Sequence, residues 1–291
     1  MKINKDKILL IISMIVFGTL SIFVKNINLP SSDIALYRCI FAFIIIFIYL
    51  AISKKLLKFK QIKKQLPLLA ISGIAMGFNW IFLFEAYKYT SVSVATLAYY
   101  FAPTIVTIVS SLIFKEKMSI KNIICFIFAT IGTVFVSGII GGNIEKTNIF
   151  GFLLGLCAAL LYATVIVLNK KIVIIDGINR TYYQFLFAII ILIPYVLLNS
   201  GFNLITLDYI SWINLLIIGI IHTGITYCLY FISIKNLRGY EVAFLSYIDP
   251  MIAIIISVFV LLEPMNLYQI IGTFLILIFS IINEINVKKV N

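Results

Sequence analysis

Apolar runs of about 20 residues, each long enough to cross a bilayer, recur along the whole chain. Ten can be placed: 7–25, 32–52, 66–88, 92–114, 119–140, 148–170, 179–198, 209–235, 240–262 and 266–286. No water-soluble interior of this size could absorb them. Of 291 residues, 63% are hydrophobic and 12% charged, against about 45–50% and about 25% in an ordinary soluble domain. The excess must face lipid, which excludes a soluble enzyme, a disordered tail and a secreted disulfide scaffold. Cys39, Cys125, Cys157 and Cys228 all fall inside apolar runs without metal-ligand spacing, and read as small buried hydrophobes.

The net charge of +12 would suggest nucleic acid in a soluble protein. Here the basic residues lie in short loops, where they set orientation. With the N-terminus in the cytoplasm, the inner segments hold nineteen Lys and Arg and the outer loops three, Lys25, Lys88 and Lys146. That asymmetry predicts a multi-pass protein of the cytoplasmic membrane with both termini inside. The Lys-rich run 54–64 is read first as a topology marker, and second as a site for anionic lipid. No loop is long enough for a nucleotide-binding domain. GxxxxGK[ST], HExxH and GxSxG are absent, which argues against an ATPase and weakens an intramembrane enzyme reading.

The chain is written twice. A shift of 147 positions lays residues 77–118 on 224–265 with ten identities in 42 pairs, among them Gly77/Gly224, Tyr100/Tyr247, Pro103/Pro250, Ser110/Ser257 and Glu116/Glu263. Chance in so Ile-rich a sequence gives roughly three or four. The segment GGNIEKT (141–147) separates the copies, so residues 1–140 and 148–291 each form a five-helix unit. Five is odd, so the second unit starts on the opposite side of the membrane. The fold class predicted is an all-α membrane protein, ten transmembrane helices as two inverted five-helix repeats. Secondary transporters use this arrangement, with the site near the midplane between the repeats.

Two stretches carry a specific resemblance. FLFEAYKYTSVSVATLAYYFAPTIVTIVSSLIFKEKMS (82–119) is similar to the signature region of EamA-type transporters of the drug/metabolite transporter superfamily, and SYIDPMIAIIISVFVLLEPMN (246–266) to its second-half counterpart. The resemblance implies a carrier of small metabolites, often an exporter. It leaves the solute open among amino acids, sugars, nucleotide derivatives and drugs.

The candidate site is built from residues that do not belong in lipid. Pro103 and Pro250 each remove a backbone bond, which predicts either paired interruptions at the site or plain packing kinks. Asp249 lies roughly 13 Å into its run, where a carboxylate must be paired, protonated or hydrated. It shares a helical face with Ser246, Ala253 and Ser257. His222, the one histidine, is either a proton carrier or a hydrogen-bonded core residue. Arg38 and Glu85 share a depth band and suggest an ion pair, with Glu85–Lys88 as the alternative. An Arg38 facing the cavity favours an anionic solute. Trp80, Tyr99, Tyr100, Tyr227 and Tyr247 read as packing singly, and as the lining of a pocket for a flat or amphipathic molecule together. Glu116, Glu241 and Glu263 read as markers of the membrane surface, and Trp212 as an interfacial anchor.

The sequence thus predicts an alternating-access secondary transporter of an amino-acid-like or amphipathic aromatic solute, without cofactor, metal or nucleic acid. Its partners are the solute and the lipid bilayer, with protons and a second copy of the chain left open. The alternative is a membrane sensor or accessory subunit that binds without transport.

Overall fold

A computed structural model describes residues 5–114, 120–136, 146–172, 174–204, 207–234, 245–246 and 248–285. Every regular element among them is helical: α1 (Lys5–Gly18), α2 (Leu20–Lys25), α3 (Ser31–Ile52), α4 (Phe59–Ile62), α5 (Leu66–Tyr89), α6 (Val92–Tyr99), α7 (Ala102–Phe114), α8 (Ile120–Val136), α9 (Lys146–Lys171), α10 (Gly177–Asn199), α11 (Tyr209–Leu216), α12 (Thr226–Ile234), α13 (Ile248–Ile255) and α14 (Leu267–Ile285). Wide π-type turns at Ile217–Ile225 and Ile256–Val260 extend α11 and α13. Among the described residues, six stretches are long and apolar enough to cross a bilayer: Lys5–Lys25, Ser31–Ile52, Lys60–Tyr89, Asn148–Lys171, Gly177–Asn199 and Tyr209–Ser233. Three shorter apolar helices accompany them, Ile123–Val136, Ile248–Val260 and Leu267–Phe279.

Helix starts follow local chemistry. The Ser91 hydroxyl accepts from Val94 N at the head of α6, Asp176 from Ile178 N and Asn179 N at α10, and Asp208 from Ser211 N at α11. Pro67 occupies the first turn of α5, where its missing N–H costs nothing. The outer surface is apolar: Ile52, Leu112, Ile120, Leu198 and Phe259 are each at least 74% exposed. Water would not tolerate such a surface, and lipid does.

The bundle interleaves the two halves of the chain. α3 packs on α10, α8 on α14, and α6 on α13. α5 packs on α9 and α10, while α1 packs on α12 and α13 and α3 on the π-turn segment. The α8–α14 contact is backbone to backbone: a Cβ on Gly132 would lie 2.8 Å from Gly272 O, and one on Gly272 would lie 2.6 Å from Gly132 O. Only glycine permits that approach.

Several expectations need correction. Helix one is interrupted at Thr19, whose hydroxyl caps Val16 O at 2.8 Å. The run containing Pro103 is broken at Tyr100–Phe101, so this proline opens α7 rather than bending a continuous helix. Pro250 is a buried residue of α13, and Leu245 and Ser246 ahead of it are helical as well. Cys157 is exposed on the apolar surface, unlike the three buried cysteines, because its face of α9 points away from the bundle. Tyr247, Glu116, Glu241 and linker residues 141–145 lie outside the described residues.

Candidate functional site

A cavity of about 330 Å³ runs into the centre of the bundle, within the size range of small-molecule sites. Both halves of the chain line it. α1 and α2 contribute Phe17 and Ser21, α3 contributes Arg38, and α5 contributes Trp80 and Tyr87. Thr96 and Tyr99 come from α6, Tyr100 from the interruption after it, and Tyr162 and Asn169 from α9. Arg180 and Gln184 of α10, Tyr227 and Tyr230 of α12, and Ser246, Asp249 and Ala253 complete the wall.

The interruption at Tyr100–Phe101 matters to this geometry. It turns Tyr100 inward, and the Tyr100 hydroxyl donates to the Asp249 carboxylate. Gly18 brings α1 against the same carboxylate's backbone: a Cβ there would lie 2.7 Å from Asp249 O. Arg38 is held just as firmly. It is 3% exposed, its Nε donates to Thr223 Oγ1 at 2.5 Å, and its guanidinium lies over Trp80 at 4.5 Å and near Phe84 at 5.4 Å. The π-type turn makes that contact: the Thr223 hydroxyl donates five residues back to Ile218 O at 2.7 Å, displacing the local register toward α3. Around these groups stands an aromatic collar, with Phe17–Tyr227 at 5.2 Å, Tyr99–Tyr162 at 5.2 Å and Trp80–Phe185 at 5.5 Å between ring centres.

About one helical turn beyond the lining residues Ser21, Thr96 and Ala253 lies a polar clasp. Glu263 pairs with Lys25, accepts from Val92 N at 2.7 Å and accepts from Ser257 Oγ at 2.5 Å. Ser257 in turn accepts from Ser93 Oγ at 2.5 Å and Ser93 N at 3.2 Å. This clasp ties α2, α6 and the end of the π-turn after α13 together. Glu263 is therefore an organised bridging group, not a surface marker. At the opposite end of α9, the Gln184 amide donates to Ser72 Oγ at 2.8 Å and Asn169 Oδ1 at 2.7 Å.

Of the residues singled out from sequence, Arg38, Trp80, Tyr99, Tyr100, Tyr227, Ser246 and Asp249 meet in the cavity wall. Glu85 does not: it is partly exposed and pairs with Lys88 at 3.0 Å, one helical turn on, which leaves no Arg38–Glu85 pair. His222 is also absent from the wall. It is buried between helices, Nε2 at 2.9 Å from Thr19 Oγ1 and its ring edge-on to Phe23 at 4.9 Å, the arrangement of a core hydrogen-bonding residue. Sequence reasoning missed Arg180, Tyr162, Tyr230 and Gln184. By sequence Arg180 reads as a loop charge, because it lies only three residues inside α10.

A chain whose described elements are all helical, with an apolar exterior and a polar, aromatic-lined cavity, is a multi-pass membrane protein. The comparisons with known proteins agree. The EamA-like transporter family matches residues 6–138 and, a second time, 149–283. An "Uncharacterized transporter YxxF" of Bacillus subtilis is 32% identical over 271 residues, covering 92% of this chain and 85% of that protein. An "Uncharacterized transporter" of Archaeoglobus fulgidus is 26% identical over 272 residues, covering 92% of each. A solved crystal structure superposes with a TM-score of 0.67 at 14% identity, over 96% of this chain and 97% of its own, and so shares the fold. The chain belongs to the EamA-like transporter family, a family of membrane transporters.

Proposed function

We propose that the protein is an alternating-access secondary transporter of the cytoplasmic membrane that exports a small metabolite through the cavity between its two halves. The observation that carries this reading is the cavity itself: both halves line it, and a polar clasp joins helices of both halves about one turn beyond it. In this reading the chain crosses the membrane ten times as two inverted five-helix units, with both termini in the cytoplasm.

The packing supports such a relation. Exchanging each span for the one five positions later turns the α5–α9 contact into α12–α1, the α3–π-turn contact into α10–α5, and the α6–α9 contact into α13–α1. The α3–α10, α8–α14 and α6–α13 contacts map onto themselves, as contacts on a two-fold axis must. With the N-terminus inside, Lys25, Val92 and Glu263 lie on the outer side. The clasp is then an outer gate in its closed position, and Arg180 and Asn169 lie toward the cytoplasm, where an exported solute loads. A carrier needs the seal to alternate between sides, and a few charge-assisted bonds are of the right strength to break and reform.

The test is flux by the purified chain in liposomes. A pool of labelled amino acids and aromatic acids should equilibrate by a saturable process that exchanges with unlabelled solute inside. Specific binding of a pool member without flux would favour the sensor reading instead.

A further inference from the structure

The strongest unexplained feature of the cavity is a cation without a counter-ion. Arg38 is 3% exposed, yet its Nη1 has no hydrogen-bond partner among the described residues. The carboxylates described in or at the ends of the spans are engaged elsewhere: Asp33 with Ser200 and Asn203, Glu85 with Lys88, Asp176 with Asn179, Asp208 with Ser211, Asp249 with Tyr100, and Glu263 in the clasp, and Asp6 is engaged as well. A guanidinium cannot shed its proton, and an uncompensated charge at membrane depth is costly. Thr223 and the Trp80 face fix the group's orientation and leave one donor edge unused. That is a preorganised half of a bidentate pair.

The rest of the wall agrees in sign. Among the described lining residues, two guanidiniums, Arg38 and Arg180, face one carboxylate, Asp249. Arg180 Nε is likewise buried without a partner, and its guanidinium lies 5.9 Å from the Phe231 ring centre. Arg180 lies about 5 Å inside the start of α10, while Arg38 lies about 10 Å from the opposite membrane face, so the two mark successive depths along one path. Between them the surface is aromatic.

We propose that Arg38 is the anion-binding group of the cavity, and that the solute is a small organic acid whose carboxylate pairs with the unused Nη1 edge. Its apolar or aromatic body lies against Trp80, Tyr99 and Tyr227, and Arg180 draws the acid into the cavity. The proposal rests on the transporter reading for the route the acid takes; binding is independent of it.

The experiment uses the full chain in phosphatidylcholine nanodiscs. Trp212→Phe leaves Trp80 as the single tryptophan of the two present, so its emission reports directly on the group beneath the guanidinium. Phenylacetate, phenylacetamide and phenethylamine are titrated at fixed ionic strength. Phenylacetate should change the Trp80 emission saturably, with an apparent Kd at least tenfold below that of the amide, and the amine should bind most weakly. Arg38→Gln should abolish the acid-over-amide preference and leave amide binding in place; Arg38→Lys, which keeps charge but loses the fork, should retain part of the preference. Equal Kd values for acid and amide, a preference that survives Arg38→Gln, or no response to phenylacetate up to millimolar concentration would overturn the proposal. If Arg38→Gln does not fold, the wild-type acid-to-amide ratio and Arg38→Lys decide alone. Acid-selective binding without flux would overturn the transporter reading and keep the anion site; flux without acid preference would do the reverse.

Discussion

Glu263→Gln should open the outer side of the cavity. The Glu263 carboxylate holds three donors from three elements: Lys25, Val92 N and Ser257 Oγ. Glutamine keeps the shape but has one carbonyl oxygen, and its amide presents donors to the Lys25 ammonium. Two charge-assisted bonds fall from about 1.5–3 kcal/mol each to at most about 0.5–1.5 kcal/mol. The Lys25 pair, with side chains 30% and 14% exposed, contributes no more than about 1 kcal/mol after solvent screening. Together these remove roughly 2–4 kcal/mol from the sealed state alone, which shifts the sealed-to-open ratio roughly 30- to 800-fold. The assay places a single cysteine at Ala253, a buried lining residue, in a chain with its four native cysteines removed. Right-side-out vesicles are then exposed to an impermeant maleimide. Labelling should be slow in the parent and at least tenfold faster with Glu263→Gln. An unchanged labelling rate in a variant of unchanged melting temperature would refute the clasp as a gate.

Other substitutions probe the packing and the corrected residues. Gly132→Ala puts a methyl 2.8 Å from Gly272 O, so α8 and α14 must separate; a loss of about 1–3 kcal/mol in stability is expected, read as a lowered melting temperature in detergent. His222→Gln should lower the melting temperature slightly through the bond to Thr19 and leave the pH profile of flux unchanged, because the residue is outside the cavity wall. Glu85→Gln breaks only a partly exposed pair with Lys88, so it should cost less than about 1 kcal/mol and show no coupling to Arg38→Leu in a double-mutant cycle.

Much of the fold was legible because a bilayer leaves the chain few choices: every apolar run of sufficient length becomes a helix that satisfies its own backbone. The positions of Arg38, Asp249 and the tyrosines in the cavity could be anticipated for a related reason, since polar groups at membrane depth turn inward. What failed depended on angle and register. The π-type turn at Ile217–Ile225 leaves no simple trace in hydropathy, yet it decides that Thr223 reaches Arg38 while His222 points to Thr19 instead. Glu263 reads as a surface charge by sequence position, and only the three-dimensional meeting of α2 and α6 with the chain after α13 makes it a bridge. Arg180 shows the same limit from the other side. Loop counting assigns it to topology, although its side chain enters the cavity.

The central claim is that solute crosses through this cavity by alternate opening of its two ends, and a reversible lock across the clasp tests it directly. Ser93 Oγ and Ser257 Oγ lie 2.5 Å apart on elements from opposite halves of the chain, so Ser93→Cys/Ser257→Cys should form a disulfide on oxidation. In liposomes containing only this variant, oxidation should abolish saturable flux and reduction should restore it, with solute binding retained throughout. Flux that persists in the fully oxidised protein would contradict the account.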